Sequence, residues 1–365
     1  MPNQQSPLDT PAKMMFQELQ IEPMDWDKMT HPEGYVLWDE DLQAAARVAL
    51  ALGKPLLLTG DPGVGKSEFS RWLTQQLGLG ERLKFVVKSS TEATDLFYQY
   101  DTLGRFHDAQ MSSLEKPTSS LNTTEKQDID PLRYLSYNAL GLAMLYSVGR
   151  QKAEEMGFIS DNMNADFLDP FPKLPTRTVV LIDEIDKAPR DVPNDMLDEI
   201  DKMAFSIKEI GNRKLTADKS NRPVVVITSN SEKDLPEAFL RRCIYYHIPF
   251  PENPEHLRKI VLSRLSGRLA ETSNLHHDAQ VMLQYLRSDD LSFVSKPGVS
   301  ELLDWLNELT RERHHLAMRL REHPNAHIAA KTTLMKHAED QKQATLENWN
   351  QWLNKAGLMD EQGNS

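Results

Sequence analysis

Three things are scarce in this chain, and each scarcity excludes something. Cysteine occurs once in 365 residues, at Cys243. An intrachain disulfide is therefore impossible, and a reducing, cytoplasmic setting is expected. Long apolar runs are missing: none approaches the roughly 20 residues that a membrane-spanning helix needs, so no membrane association is expected. Met1 to Thr10 is polar and lacks the apolar core of a secretory leader. Positive charge is the third deficit. Lys and Arg total 42 against 54 Asp and Glu, a net charge of −12, which argues against a general nucleic-acid binder.

What is present supports a folded, two-module protein. Hydrophobic residues make up 39% of the chain, enough for a core, and the length allows two domains. Residues 1–34 are polar with several prolines and read as an arm. Trp38 to Leu52 has helical apolar spacing, with Asp39 as N-cap and Gly53 as the stop. Short apolar runs at 55–59, 83–87, 178–182, 224–228 and 244–248 read as five strands. Residues 111–130 are rich in Ser, Thr, Asp and Lys and read as a surface insert. Residues 131–156 carry the spacing of a long helix (Leu132, Leu135, Leu140, Met144, Leu145), and 193–203 reads as another. Phe205 to Thr216 alternates around Gly211-Asn212, as a hairpin does. Beyond Pro254 the spacing is helical almost throughout. Buried strands alternating with helices imply α/β architecture: a mostly parallel five-stranded sheet between helices, with a smaller all-α module after it. The expected divisions are 1–34, 35–252, 253–310 and 311–365.

The stretch around which this is organised is Gly60-Asp61-Pro62-Gly63-Val64-Gly65-Lys66-Ser67, which fits G-x-x-x-x-G-K-[ST]. The glycines let the backbone turn its N–H groups inward around phosphate oxygens. A helix starting near Lys66 adds its positive end. Lys66 would meet the β- and γ-phosphates of ATP, and the Ser67 hydroxyl would hold Mg²⁺. With Glu68, which follows, these residues are the expected nucleotide-binding set. The second constellation is Val179-Val180-Leu181-Ile182-Asp183-Glu184, a buried strand ending in two carboxylates. At the C-terminal edge of a parallel sheet they stand where ligands bind. Asp183 is expected in the Mg²⁺ shell, and Glu184 as the base for a water attacking the γ-phosphate.

The order of phosphate loop, L-I-D-E-I-D-K-A, V-V-V-I-T-S-N and L-P-E-A-F-L-R-R-C resembles an AAA+ ATPase. Within that superfamily Leu181 to Asp201 is most similar to MoxR-type ATPases. The resemblance covers residues 35–305. It implies that Asn230 is the polar sensor helping to place the attacking water. It implies that Arg242 is an arginine finger reaching a neighbouring subunit, with Arg241 as the rival. The family's lid arginine would align with Gly298, which leaves Lys296 as the nearby cation for the γ-phosphate. Tyr35 and Val36 stand where such ATPases contact adenine. A homo-oligomer, a hexamer by preference, and a von Willebrand factor A-domain protein as partner are further implications. A slow nucleotide-dependent assembly switch or scaffold, for instance in bacterial defence, is a second reading; a McrB-like nucleic-acid-linked motor is a third. Trp349 and Trp352 read as a packing stripe in the last helix, and His314-His315 as solvated.

Overall fold

The structure is a computed structural model that describes residues 32–114, 130–161, 163, 171–230, 235–265, 273–311, 315 and 317–359. Nearly all of the 1–34 arm and most of the 111–130 insert lie outside these. The first helix, α1 (Glu40–Leu52), is capped as its sequence suggests. The Asp39 carboxylate accepts from the amides of Asp41 and Leu42, and Gly53 ends the helix at φ 61°. Then come β1 (Leu56–Thr59), α2 (Lys66–Gln76), β2 (Leu83–Val86), β3 (Tyr98–Tyr100) and α3 (Thr102–Leu114). The opening of the expected insert is thus helical.

The long helix expected over 131–156 is not there. A 3₁₀ turn at Pro131–Tyr134 leads into β4 (Leu135–Tyr137), which pairs antiparallel with β3. Only then come α4 (Ala139–Val148) and α5 (Arg150–Glu155), separated at Gly149, whose φ is 83°. Strand pairing overrides the local spacing here, and Gly149 adopts a conformation that a continuing helix cannot.

The chain continues through β5 (Val179–Asp183), α6 (Val192–Asp195), α7 (Leu197–Lys202), β6 (Ala204–Ile207), β7 (Arg213–Thr216), β8 (Val224–Thr228), α8 (Glu237–Leu240) and β9 (Ile244–His247). β6 and β7 form the expected hairpin. The main sheet is five-stranded, in the order β2-β5-β8-β1-β9, and every pairing in it is parallel. Successive residues of a strand point to opposite faces. In β5, Val179 and Leu181 join a cluster with Leu42, Phe69 and Leu73, whereas Val180 and Ile182 join one with Leu140, Ala143 and Met144. Both faces are therefore covered by helices; the central strands β1, β5 and β8 are buried almost throughout, and the edge strands β2 and β9 alternate with exposed residues.

Among the described residues there follow α9 (Pro254–Arg264), α10 (Asn274–Arg287), α11 (Val299–Leu309), a 3₁₀ turn at Leu320–Glu322, α12 (Ala326–Thr333), α13 (Ala338–Gln343) and α14 (Leu346–Lys355). One hydrophobic cluster runs from Leu257 to Leu358. It joins the 253–310 and 311–365 segments in a single core. Trp349 and Trp352 pack into it, Trp349 edge-on to the fully buried Trp305, so the aromatic stripe is core. His315, expected in solvent, is buried against the ring of His323. No helix among the described residues is long and apolar enough to cross a membrane.

Candidate functional site

Sheet order determines what the site can hold. β8 lies between β1 and β5, so the ends of these strands bring the phosphate loop, the carboxylate pair and the T-S-N segment to one edge. They line a cleft of about 430 Å³ that also takes in Tyr35, Val36 and Trp38 on one side and the helical module on the other.

In the loop, Gly60, Gly63 and Gly65 have φ of 140°, 79° and 98°, values that L side chains rarely adopt. A Cβ at Gly60 would also stand 2.5 Å from the Ile248 carbonyl oxygen. The Lys66 ammonium folds back onto the carbonyls of Gly60 (2.7 Å) and Asp61 (3.0 Å). Burial lowers its pKa from the usual lysine range, and the carboxylates of Asp186, Asp61, Asp183 and Glu184 oppose that. Ser67 Oγ donates to Asp183 Oδ1 at 2.7 Å, as does Thr228 Oγ1 at 2.6 Å. Lys84 Nζ stands 2.7 Å from the other oxygen, Oδ2. Burial pushes the Asp183 carboxyl up, but the donors Lys84, Thr228 and Ser67 together hold it below the usual carboxylate range.

The hydroxyl of Ser67 and the carboxylate of Asp183 are hard oxygen donors, the type Mg²⁺ takes. Among the described residues no group of three or more His, Cys, Asp and Glu side chains could hold a metal.

Glu184 leaves β5 in the left-handed region, at φ 64°. For a non-glycine residue this is a costly conformation that tends to mark functional sites. Its amide donates to Thr228 Oγ1 at 3.0 Å, so the neighbouring strand holds the turn. Its carboxylate pairs with Lys187 Nζ at 2.6 Å. Asn230 lines the same cleft, and its backbone N–H donates to Asp186 Oδ1 at 3.1 Å.

The expected residues outside the loop divide into two groups. Glu68, Asp183, Glu184 and Asn230 come together in the cleft. Lys296 does not line it: its ammonium pairs with Asp289 at 2.8 Å, behind Asp61 and Pro62. The reason lies at the start of α11. A Cβ on Gly298 would sit 2.8 Å from the Pro62 carbonyl oxygen, so the backbone itself packs on the phosphate loop. A side chain at 298 would force the loop or the helix start to shift, and Lys296, two residues earlier, turns to Asp289. Arg241 and Arg242 also stand outside the cleft. Arg242 Nε pairs with Asp201 at 2.8 Å, and the more exposed Arg241 lies 3.7 Å from Glu237.

The helical module brings other cations instead. Ile260 and Arg264, four residues apart on α9, share a face that lines the cleft. Arg264 approaches Glu68 at 3.8 Å. Arg287 on α10 reaches Asp61 at 3.3 Å, donates to the Pro297 carbonyl at 2.7 Å and stacks over Phe250. Sequence reading missed both arginines and Lys84. Lys84 did carry a signal: a lone charge inside the apolar run L-K-F-V-V, on the edge strand β2. Arg264 and Arg287 carry none, because nothing local tells a solvated helical arginine from one turned inward.

Residues 55–243 match the family described as AAA domain (dynein-related subfamily). No curated protein matches the chain. Among solved structures, the FIGL-1 AAA domain in complex with ADP aligns at TM-score 0.41 with 14% identity, covering 96% of this chain and 99% of its own. A second structure of the FIGL-1 AAA domain aligns at TM-score 0.41 with 16% identity, covering 87% of each chain.

Proposed function

The chain belongs to the AAA domain family, dynein-related subfamily, and from that premise we propose that it is a Mg²⁺-dependent ATPase of the MoxR-like kind. In this reading it works as a hexameric ring that remodels a protein partner, a von Willebrand factor A-domain protein being the class the resemblance implies. The observation that carries the reading is the Ser67–Asp183 contact at 2.7 Å, with Lys66, Glu184 and Asn230 in the same cleft. Bound Mg²⁺ supplies charge neutralisation on the β- and γ-phosphates. The residues do the rest. The loop amides cradle the phosphates, and Lys66 leaves its two carbonyls for the γ-phosphate. Asn230 orients the water, and Glu184 takes its proton. The contact of α11 with Pro62 and Gly63, and of Arg264 with Glu68, links the helical module to the nucleotide.

Lys66→Ala tests the reading directly. It removes a charge-assisted hydrogen bond, so ATP affinity measured by calorimetry should fall by about a hundredfold. Unchanged affinity would remove the phosphate loop from the argument.

One observation favours the slow-switch reading: the Lys187–Glu184 ion pair at 2.6 Å occupies the base. If that pair is what limits turnover, Lys187→Ala should speed steady-state hydrolysis by roughly tenfold, in line with freeing a general base. In a fast ATPase, where nucleotide binding itself displaces Lys187, the same variant should leave the rate unchanged or lower it.

A further inference from the structure

The two small hairpins outside the main sheet share a feature that the ATPase reading leaves unused. β3 pairs only with β4, and β6 only with β7, among the described residues. Each therefore has one free edge. Which residues face it follows from the ladders. In the first hairpin, Asn138 donates to Phe97 and Asp101 donates to Tyr134. Bonded and non-bonded pairs alternate in an antiparallel ladder, so the N–H and C=O groups of Tyr98 and Tyr100 point outward. In the second hairpin, Ala217 donates to Met203. By the same alternation, Ala204 and Ser206 turn theirs outward.

Both free edges line one groove of about 800 Å³. Three consecutive residues of each strand line it. Successive side chains point to opposite faces, so three in a row means that the groove runs along the strand's edge. Phe97 stacks on Phe205 with ring centroids 5.0 Å apart, which closes the floor.

The groove is acidic. Glu92, Asp95, Asp198, Glu199 and Glu209 line it against three lysines. One of those, Lys202, is already committed to Asp198 at 2.6 Å. Glu199 Oε2 is buried without a hydrogen-bond partner, and Glu209 Oε2 accepts from the Tyr98 hydroxyl at 3.1 Å. Outward amides and carbonyls ask for an extended chain. The excess of carboxylates over lysines asks for a cationic one and disfavours nucleic acid.

We propose that this groove binds an extended, lysine- or arginine-bearing segment of a protein partner, added as a strand along the free edge of β6. The segment's backbone bonds to Ala204 and Ser206, and its alternate cationic side chains meet Glu199 and its acidic neighbours. This site is separate from the nucleotide cleft and does not depend on hydrolysis.

The probe is a fluorescent peptide alternating lysine and valine, titrated into the full chain by anisotropy. Two relatives serve as comparisons. One alternates glutamate and valine; the other is the lysine peptide with every backbone amide N-methylated, which keeps the charge but loses all backbone donors. Both should bind at least about tenfold more weakly, the equivalent of one or two backbone hydrogen bonds or a charged pair. Ser206→Pro removes one outward N–H without touching the β6–β7 ladder, and proline is tolerated at such an edge. It should weaken the lysine peptide by a similar factor while ATP affinity stays unchanged. Should the variant misfold, the N-methylated peptide on the unaltered chain decides alone. The proposal is overturned if the lysine peptide does not bind, or if its binding ignores N-methylation, which would mean surface charge only. It is also overturned if a photo-cross-linker at position 206 joins two copies of this chain, which would make the groove a subunit interface.

Discussion

Glu184→Gln is expected to bind ATP with unaltered affinity and to hydrolyse it about 10²- to 10⁴-fold more slowly, the range that a positioned general base contributes. The substitution is conservative where it needs to be. The side chain keeps its size, and the left-handed turn at φ 64° is held by the backbone amide bond to Thr228, which the change does not touch. Lys66, Ser67 and Asp183 keep their contacts, so the phosphate site stays intact. What disappears is the ability to accept a proton. Single-turnover hydrolysis with calorimetry on the same preparation separates binding from chemistry. A wild-type rate would move the role elsewhere, and Asp186 is the nearest rival. It faces that role poorly, because Oδ1 already accepts from the Asn230 backbone N–H. If the proposed remodelling reading holds, a variant that holds ATP without consuming it should also retain its partner, and the proteins that co-purify with it would identify that partner.

How far the sequence reached depended on whether the signal was local. The five strands were legible because each is a short, largely apolar run between turn signals, with β1, β5 and β8 buried on both faces. The first helix was legible from its own punctuation, Asp39 and Gly53. The site's core was legible for the same reason: loop and carboxylates are each one contiguous motif, and sheet order does the rest. The misses were tertiary. Leu135-Ser136-Tyr137 is too short to show strand alternation, and only its pairing with β3 makes it one. Leu132 and Leu135 are buried, as a helix stripe would be, so apolar spacing alone could not separate the two. Lys296 is near the expected arginine only in sequence. The fold instead packs Gly298 onto Pro62, brings Arg264 into the cleft and pairs Arg287 with Asp61 of the loop, from helices whose inward faces depend on how they dock. His315 was misread in the same way: its environment is supplied by His323.

The second large effect concerns assembly. Arg242→Ala is expected to bind ATP normally and to hydrolyse it about 10³-fold more slowly, if this arginine acts as fingers do elsewhere. Within one chain neither arginine of the doublet lines the cleft. Arg242 is tied to Asp201, and Arg241 is mostly exposed. A finger acting in its own subunit would need the α8–β9 turn to move, whereas one acting on a neighbour needs only a ring. Mixing tells these apart. Arg242→Ala subunits keep a whole phosphate loop, and Lys66→Ala subunits keep a whole finger. Each is inactive alone for a different reason. Where a Lys66→Ala subunit presents Arg242 to an Arg242→Ala neighbour, one composite site is complete, and mixed rings should regain part of the activity. A finger acting in cis gives no rescue at any ratio. Repeating the experiment with Arg241→Ala assigns the role within the doublet, because only loss of the true finger produces a defect that mixing repairs. If mixed rings form, as native mass spectrometry can establish, and neither variant is rescued, the shared site is wrong. The slow switch, with Glu184 held by Lys187, then becomes the better account of the cleft.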